Sequence, residues 1–157
     1  MTEPSQILIA DPNRQRARAL ALACGARGYQ TVQAPNGALA LENALADVPD
    51  VLVAPVDLGL IEAPKLVEIL RANPRTQAVR VLFLGDDAAT TKERGFFDDA
   101  IDPSAPVEEI ALRVEAMLAQ RERIDAVQRE AEAEQEVQGK LAQIPLTDLL
   151  QLFHMNH

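Results

Sequence analysis

Short, largely apolar runs recur along this chain with helix-patterned stretches between them, and that alternation leaves few folds open. The runs are Ile7-Leu8-Ile9-Ala10, Thr31-Val32-Gln33-Ala34, Val51-Leu52-Val53-Ala54 and Val79 to Leu84. A strand with one wet face alternates apolar and polar residues; a strand that is apolar throughout is buried on both faces, as in parallel sheets. The run at Thr31 is the more polar and the weaker strand. Between the runs, Ala and Leu at helical spacing predict a helix from Arg14 to Arg27, closed by the breakers Gly25 and Gly28. A second helix opens at Asn36-Gly37 and reaches about Ala46, and a third spans Lys65 to Asn73 and stops at Pro74. Gly85-Asp86-Asp87 turns the chain into a short fourth helix, and Ala100-Ile101 before Pro103 forms a brief fifth strand. Five strand–helix alternations predict an α/β fold, a doubly wound five-stranded parallel sheet with right-handed crossovers. Sites in such sheets lie at the carboxyl ends of the strands, here Asp11, Pro55, Gly85 and Asp102.

The C-terminal part differs in kind. No Gly or Pro occurs from Val107 to Gln138, so one helix of about 48 Å is expected. Ile110, Val114, Met117, Ile124, Val127 and Ala131 keep steps of three, four and seven. The early turns should cover the sheet, whereas the polar turns beyond Leu118 need a partner helix, because an isolated polar helix is marginal. Arg121 at a core position and a phase slip at Val127 make the seam imperfect. Gly139 is expected to end the helix, and Leu141 to Phe153 forms a new amphipathic stretch. The expected organisation is a core at residues 1–118, a helical coiled-coil linker at 119–138 and a further helix at 139–157. A homodimer is expected through Ile124, Val127, Ala131 and Val137, strengthened by Leu146, Leu149, Leu150 and Phe153.

Charge and composition remove several function classes. The net charge is −9, and aromatic residues make up 3% with no Trp. An acidic surface without stacking platforms argues against nucleic acid or anionic membrane as partner. The single cysteine, Cys24, excludes an internal disulfide and a cysteine zinc site, and its Ala/Leu surroundings predict an inert buried thiol. No apolar run reaches membrane-spanning length and Met1 to Gln6 is no basic leader, so a soluble cytoplasmic protein is expected. His154 and His157 have metal-pair spacing but stand alone at a chain end. Arg14, Arg16 and Arg18 alternate around a helix and build no phosphate-binding face. Without a glycine-rich phosphate loop, nucleophile elbow or His-Glu metal motif, no enzyme activity and no cofactor are expected.

Several phrases in order carry a resemblance: Ile7-Leu8-Ile9-Ala10-Asp11, Asn36-Gly37-Ala38, Pro49-Asp50-Val51-Leu52-Val53, Val81-Leu82-Phe83-Leu84 and Arg113-Val114-Glu115-Ala116-Met117-Leu118. With them, residues 5–118 resemble the receiver domain of bacterial response regulators, a CheY-like (βα)5 fold. The resemblance implies a phosphoryl-transfer site: an acidic pair holding Mg²⁺ after the first strand and an acceptor Asp ending the third. A hydroxyl residue after the fourth strand and a Lys after the fifth would contact the phosphoryl group. Carried onto this chain, that site is dismantled. Asp11 keeps one acid and, with Asp102 or Asp86, is a candidate metal ligand, but its neighbour is Pro12. The acceptor position falls on Pro55, the hydroxyl position on Gly85 and the lysine position on Asp102. The expected function is therefore a non-catalytic, phosphorylation-independent pseudo-receiver that acts on a signalling protein partner.

Two alternatives stand beside it. Asp57 could serve as an atypical acceptor with Asp11 holding Mg²⁺, or the chain could be the receiver portion of a larger DNA-binding regulator extending past residue 157. The close spacing of Gly85 and Asp102 also shortens the fourth helix and alters the usual switch face. Finally, the segment from Gly139 to Leu152 resembles the opening of a PATAN-type domain, which would make residues 139–157 the first helix of a truncated domain.

Overall fold

The computed structural model describes residues 4–86 and 95–142, with backbone alone at 121 and 137–142. The chain divides into two compact units, Met1–Leu118 and Ala119–His157. The elements are β1 (Gln6–Ala10), α1 (Arg14–Gly25), β2 (Gln30–Ala34), α2 (Gly37–Ala46), β3 (Val51–Pro55), α3 (Ala63–Ala72), β4 (Arg80–Leu84), β5 (Asp99–Ile101) and the C-terminal helix α4 (Val107–Ala142). The sheet is five-stranded in the order β2-β1-β3-β4-β5, and every pairing is parallel. This is the doubly wound five-stranded parallel sheet expected from the alternating runs.

Alternate residues of the central strands serve opposite halves of the core, as the period of two requires. Ile7, Ile9, Val51, Val53, Leu82 and Leu84 pack with Leu20 and Cys24 of α1 and with Ile110, Val114 and Met117 of α4. Leu8, Ala10, Leu52, Ala54 and Val81 pack with Ala40 and Ala44 of α2 and Leu66, Val67 and Leu70 of α3. Full burial of each Ile, Leu or Val contributes about 1.5–3 kcal/mol. β2 lies at the sheet edge, which is why Val32 and Gln33 can remain exposed. Burial pushes the Cys24 thiol up to about 11, with Arg27 opposing the shift in part; the thiol is fully buried.

The helix starts follow local chemistry. Asn13 caps α1, its side chain accepting from the Arg16 amide at 3.1 Å, and Asn36 caps α2 by accepting from the Leu39 amide at 2.9 Å. α3 begins at Ala63, two residues before the expected Lys65, because Pro64 fits a first helical turn, where an amide hydrogen is not needed. One expectation fails clearly: Gly139 does not end the last helix, which continues to Ala142. A glycine inside a helix costs about 1 kcal/mol relative to Ala, and good helix formers on both sides, Lys140 and Leu141 among them, override it. The boundary drawn at 138/139 is thus no break in the backbone. The short helix expected after Gly85-Asp86-Asp87, and Leu146, Leu149, Leu150, Phe153, His154 and His157, lie outside the described residues, as does the side chain of Val137.

Polar ties close the sheet at the end remote from the cleft described below. The Arg71 guanidinium donates to the carbonyls of Gln77 at 2.6 Å and Val79 at 2.5 Å and to Asp98 at 3.1 Å. Asp98 in turn accepts from the Val81 amide at 2.7 Å. α2 meets the loop after β3 so closely that a Cβ on Gly37 would lie 1.8 Å from the Ile61 carbonyl oxygen. Gly37→Ala is therefore expected to destabilise the fold by about 1–3 kcal/mol in urea unfolding followed by circular dichroism. Gly25→Ala, with nothing within 4 Å of the new Cβ, should leave stability unchanged or raise it slightly.

Candidate functional site

The strand carboxyl ends enclose a cleft of about 410 Å³ lined by Asp11, Pro12, Asn13, Arg16, Pro55, Val56, Asp57, Phe83, Leu84, Gly85, Asp86 and Pro103. The parallel register sets its geometry: Pro55 of β3 lies opposite Leu84 of β4, and Gly85 donates its amide to the Ile101 carbonyl at 3.0 Å. Of the positions singled out from sequence, Asp11, Pro12, Pro55, Asp57 and Gly85 line this one cleft. Asp102 follows β5 at the same edge of the sheet, but its carboxylate is turned into a local cap.

Asp11 is the buried acid of the site. Its side chain is 1% exposed, and Arg16 beside it is 23% exposed. The guanidinium is bidentate: Nε donates to Oδ2 at 2.5 Å and Nη2 to Oδ1 at 2.9 Å. Oδ1 also accepts from the Asn13 amide at 2.9 Å. Bidentate Arg–carboxylate pairs combine charge with fixed geometry. Removing one member of a buried pair costs about 3–5 kcal/mol, less where one partner keeps contact with water, as Arg16 does.

Arg16 is the functional residue that sequence reasoning missed. It occupies the third helical position after the Asn13 cap, and helical side chains lean back towards the N-terminus, which brings this one over Asp11. Arg14 and Arg18 are exposed. A cation in the first turn of a helix works against the helix dipole by about 0.3–1 kcal/mol, so an arginine there signals a nearby acid. An Asp five residues before an Arg, across an Asn cap, was the available signal.

At the end of β4, a Cβ on Gly85 would fall 2.2 Å from Cε1 of Phe83. Phe83 is fully buried, stacked on Phe97 with ring centroids 5.1 Å apart and edge-on to Phe96 at 5.2 Å. The aromatic ring fills the space a side chain at position 85 would need. At the end of β5, Asp102 accepts from the Ser104 hydroxyl at 2.6 Å and from the Ser104 amide at 2.8 Å. The hydroxyl bond first, and the amide bond second, hold this carboxyl below its usual range.

Asp57 is exposed in the loop after β3. That loop is clamped by the Gly37 amide on the Gly59 carbonyl at 3.0 Å and the Ala63 amide on the Val56 carbonyl at 3.0 Å. Gly59 and Leu60 both have positive φ, 77° and 66°. For Leu60 that conformation costs about 1–2 kcal/mol, and its side chain is 82% exposed.

Comparison with solved structures gives this geometry its class. A Chloroflexus aurantiacus protein assigned as a response regulator superposes with a TM-score of 0.69 at 28% identity, covering 74% of this chain and 99% of that one. A streptococcal redox sensor, of a family evolved from two-component response regulators, matches with a TM-score of 0.71 at 24% identity, over 78% of this chain and 54% of its own. The receiver domain of a Pseudomonas aeruginosa sensor histidine kinase, which holds a magnesium ion in its active-site cleft, matches at 0.62 and 16% identity, over 71% and 94%. No family model and no curated protein matches the sequence. The first unit has the CheY-like fold, a structural match to the receiver domains of response regulators. The structures it resembles are signalling modules of the two-component class.

The magnesium ion that this class implies does not fit the residues present. Both Asp11 oxygens are engaged by Arg16, and Pro12 beside it has no side-chain ligand to offer. Among the described residues, no group of three or more His, Cys, Asp or Glu side chains is placed to hold a metal. Among them too, no helix is long and apolar enough to cross a membrane. Because Phe83 closes the space above position 85, Gly85→Thr is expected to lower stability by about 1–3 kcal/mol. Pairing it with Phe83→Leu should recover part of that loss, as measured by a double-mutant cycle in urea.

Proposed function

We propose that the chain is a non-catalytic signalling module, a phosphorylation-independent pseudo-receiver that acts by protein–protein contact in a bacterial two-component-type pathway. The observation that carries this reading is the chemistry at the end of β3. The strand closes on Pro55, which has no nucleophilic atom, while the buried acid facing it, Asp11, is already paired with Arg16. Phosphoryl transfer depends on an in-line nucleophile and on cations that neutralise developing charge. Gly85 adds no hydroxyl, and Asp102 adds negative charge to that edge of the sheet. A cytoplasmic place of action goes with this reading.

Asp57 supports a second reading, because it is exposed and lines the same cleft. Acetyl phosphate with Mg²⁺ separates the two. Intact-mass analysis should find no added phosphoryl group on the chain; an adduct mapped to Asp57 would replace the first reading by the second.

The second unit supports pairing. Ile124 is 41% and Val127 64% exposed on the polar part of α4, and their seam is buried only by another helix. A homodimer through this seam, leading into a PATAN-type segment from Gly139, is the arrangement proposed; a larger regulator would carry its output beyond that segment. Light scattering at high micromolar concentration should give a dimer for the wild-type chain and a monomer, equally helical by circular dichroism, for Ile124→Glu/Val127→Glu. A monomeric wild type would remove the proposal.

A further inference from the structure

Asp11 and Thr76 are the buried polar residues among those described. The Thr76 hydroxyl is satisfied by the Leu70 carbonyl at 2.7 Å, whereas a buried carboxylate also needs a counter-charge. We infer that Arg16 is a built-in counter-cation: its guanidinium holds the place beside Asp11 that a divalent ion would take, and so keeps the cleft in one charge state at any metal concentration. The inference deepens the pseudo-receiver reading and rests on it for its functional meaning.

Three observations carry it. First, the donor set is nearly saturated: of about four lone-pair sites on a carboxylate, two receive guanidinium hydrogens and one the Asn13 amide. A metal ion held by both carboxylate oxygens could enter only by displacing Arg16. Second, Arg16 is anchored from its own backbone, since its amide donates to the Asn13 cap at 3.1 Å. The charged head is delivered by a fixed first turn of α1. Third, a guanidinium stays protonated across the accessible pH range, unlike a His or Lys in the same place. Being part of the chain, the guanidinium stays beside Asp11 under conditions in which a bound ion would come and go. Arg16 is a positioning residue in this scheme. The edge it turns to Asp11 is fully engaged.

Thermal unfolding of the full chain tests this in EDTA and in about 10 mM MgCl₂ or MnCl₂. The wild type should melt at the same temperature in all three. Arg16→Met keeps the aliphatic stem but leaves Asp11 unpaired. It should melt roughly 5–10 °C lower in EDTA and regain several degrees with either cation. Arg16→Lys restores the charge and should remain insensitive to metal, although it loses the bidentate geometry. Asp11→Asn/Arg16→Met, without the stranded charge, should melt above Arg16→Met in EDTA and show no metal response.

The inference is overturned if the wild type gains stability with Mg²⁺ as strongly as Arg16→Met does. It is equally overturned if a folded Arg16→Met shows no response to either cation, or if the double variant is no more stable than the single one. Should Arg16→Met fail to fold in EDTA, folding restored by MnCl₂ supports the inference, and no restoration overturns it. A phosphoryl adduct on the wild type would defeat the pseudo-receiver reading and leave this coupling intact. Absence of the coupling without an adduct would defeat only the inference.

Discussion

Burial of β1, β3 and β4 on both faces is the constraint from which the rest of the first unit follows. Ile7, Leu8, Ile9 and Ala10 are all buried, as are Val51 to Ala54 and Val81 to Leu84. Such strands cannot leave either face to water, so helices must cover both sides, and parallel pairing with helical crossovers is the economical way to arrange them. Once the order β2-β1-β3-β4-β5 is set, the ends of β1, β3 and β4 converge on one cleft. The cleft is thus a by-product of core burial, and its chemistry depends on a handful of residues at the strand ends.

Those residues form a mutually consistent set. Asp11 is neutralised by Arg16, Asp102 is capped by Ser104, and Pro55 contributes no polar side chain. Gly85 lies where the Phe83 ring leaves no room for a side chain. In a buried or half-buried cleft a polar group without a partner is costly, and here the two acids that follow β1 and β5 have partners within a few residues in sequence. Local satisfaction of this kind favours a rigid edge over one awaiting a ligand to complete it. The loop after β3 fits the same picture, since backbone bonds from Gly37 and Ala63 hold Gly59 and Leu60 in left-handed conformations.

The C-terminal helix joins two different physical regimes. Up to Leu118 it is held by burial of Ile110, Ala111, Val114, Met117 and Leu118. Beyond that point every described side chain from Glu122 to Glu136 is exposed, and helicity there depends on propensity and on whatever covers Ile124 and Val127. The passage of the backbone through Gly139 shows how weak a punctuation mark glycine is inside a run of good helix formers.

Much of the fold was legible in the residues themselves, because hydrophobic period reports burial directly. Uninterrupted runs meant strands covered on both faces, Asn36-Gly37 meant a helix start, and the five alternations meant a parallel doubly wound sheet. The strand-end positions Asp11, Pro55, Gly85 and Asp102 could likewise be read by counting along the chain. What counting could not supply was which side chain meets which. Arg16 read as one of three arginines on a helix, and only the side-chain direction set by the first turn of α1 showed its guanidinium on Asp11. Gly85 read as a lost hydroxyl, and only the Phe83–Phe96–Phe97 cluster showed why no side chain fits there. Asp102 read as a charge set against the cleft, and the turn at Ser104 satisfied it locally instead. Sequence by itself determined where strands and helices run, since burial periodicity is a property of the chain. Tertiary structure alone decided the charge balance of the cleft, because that depends on side-chain directions and distances that periodicity does not encode.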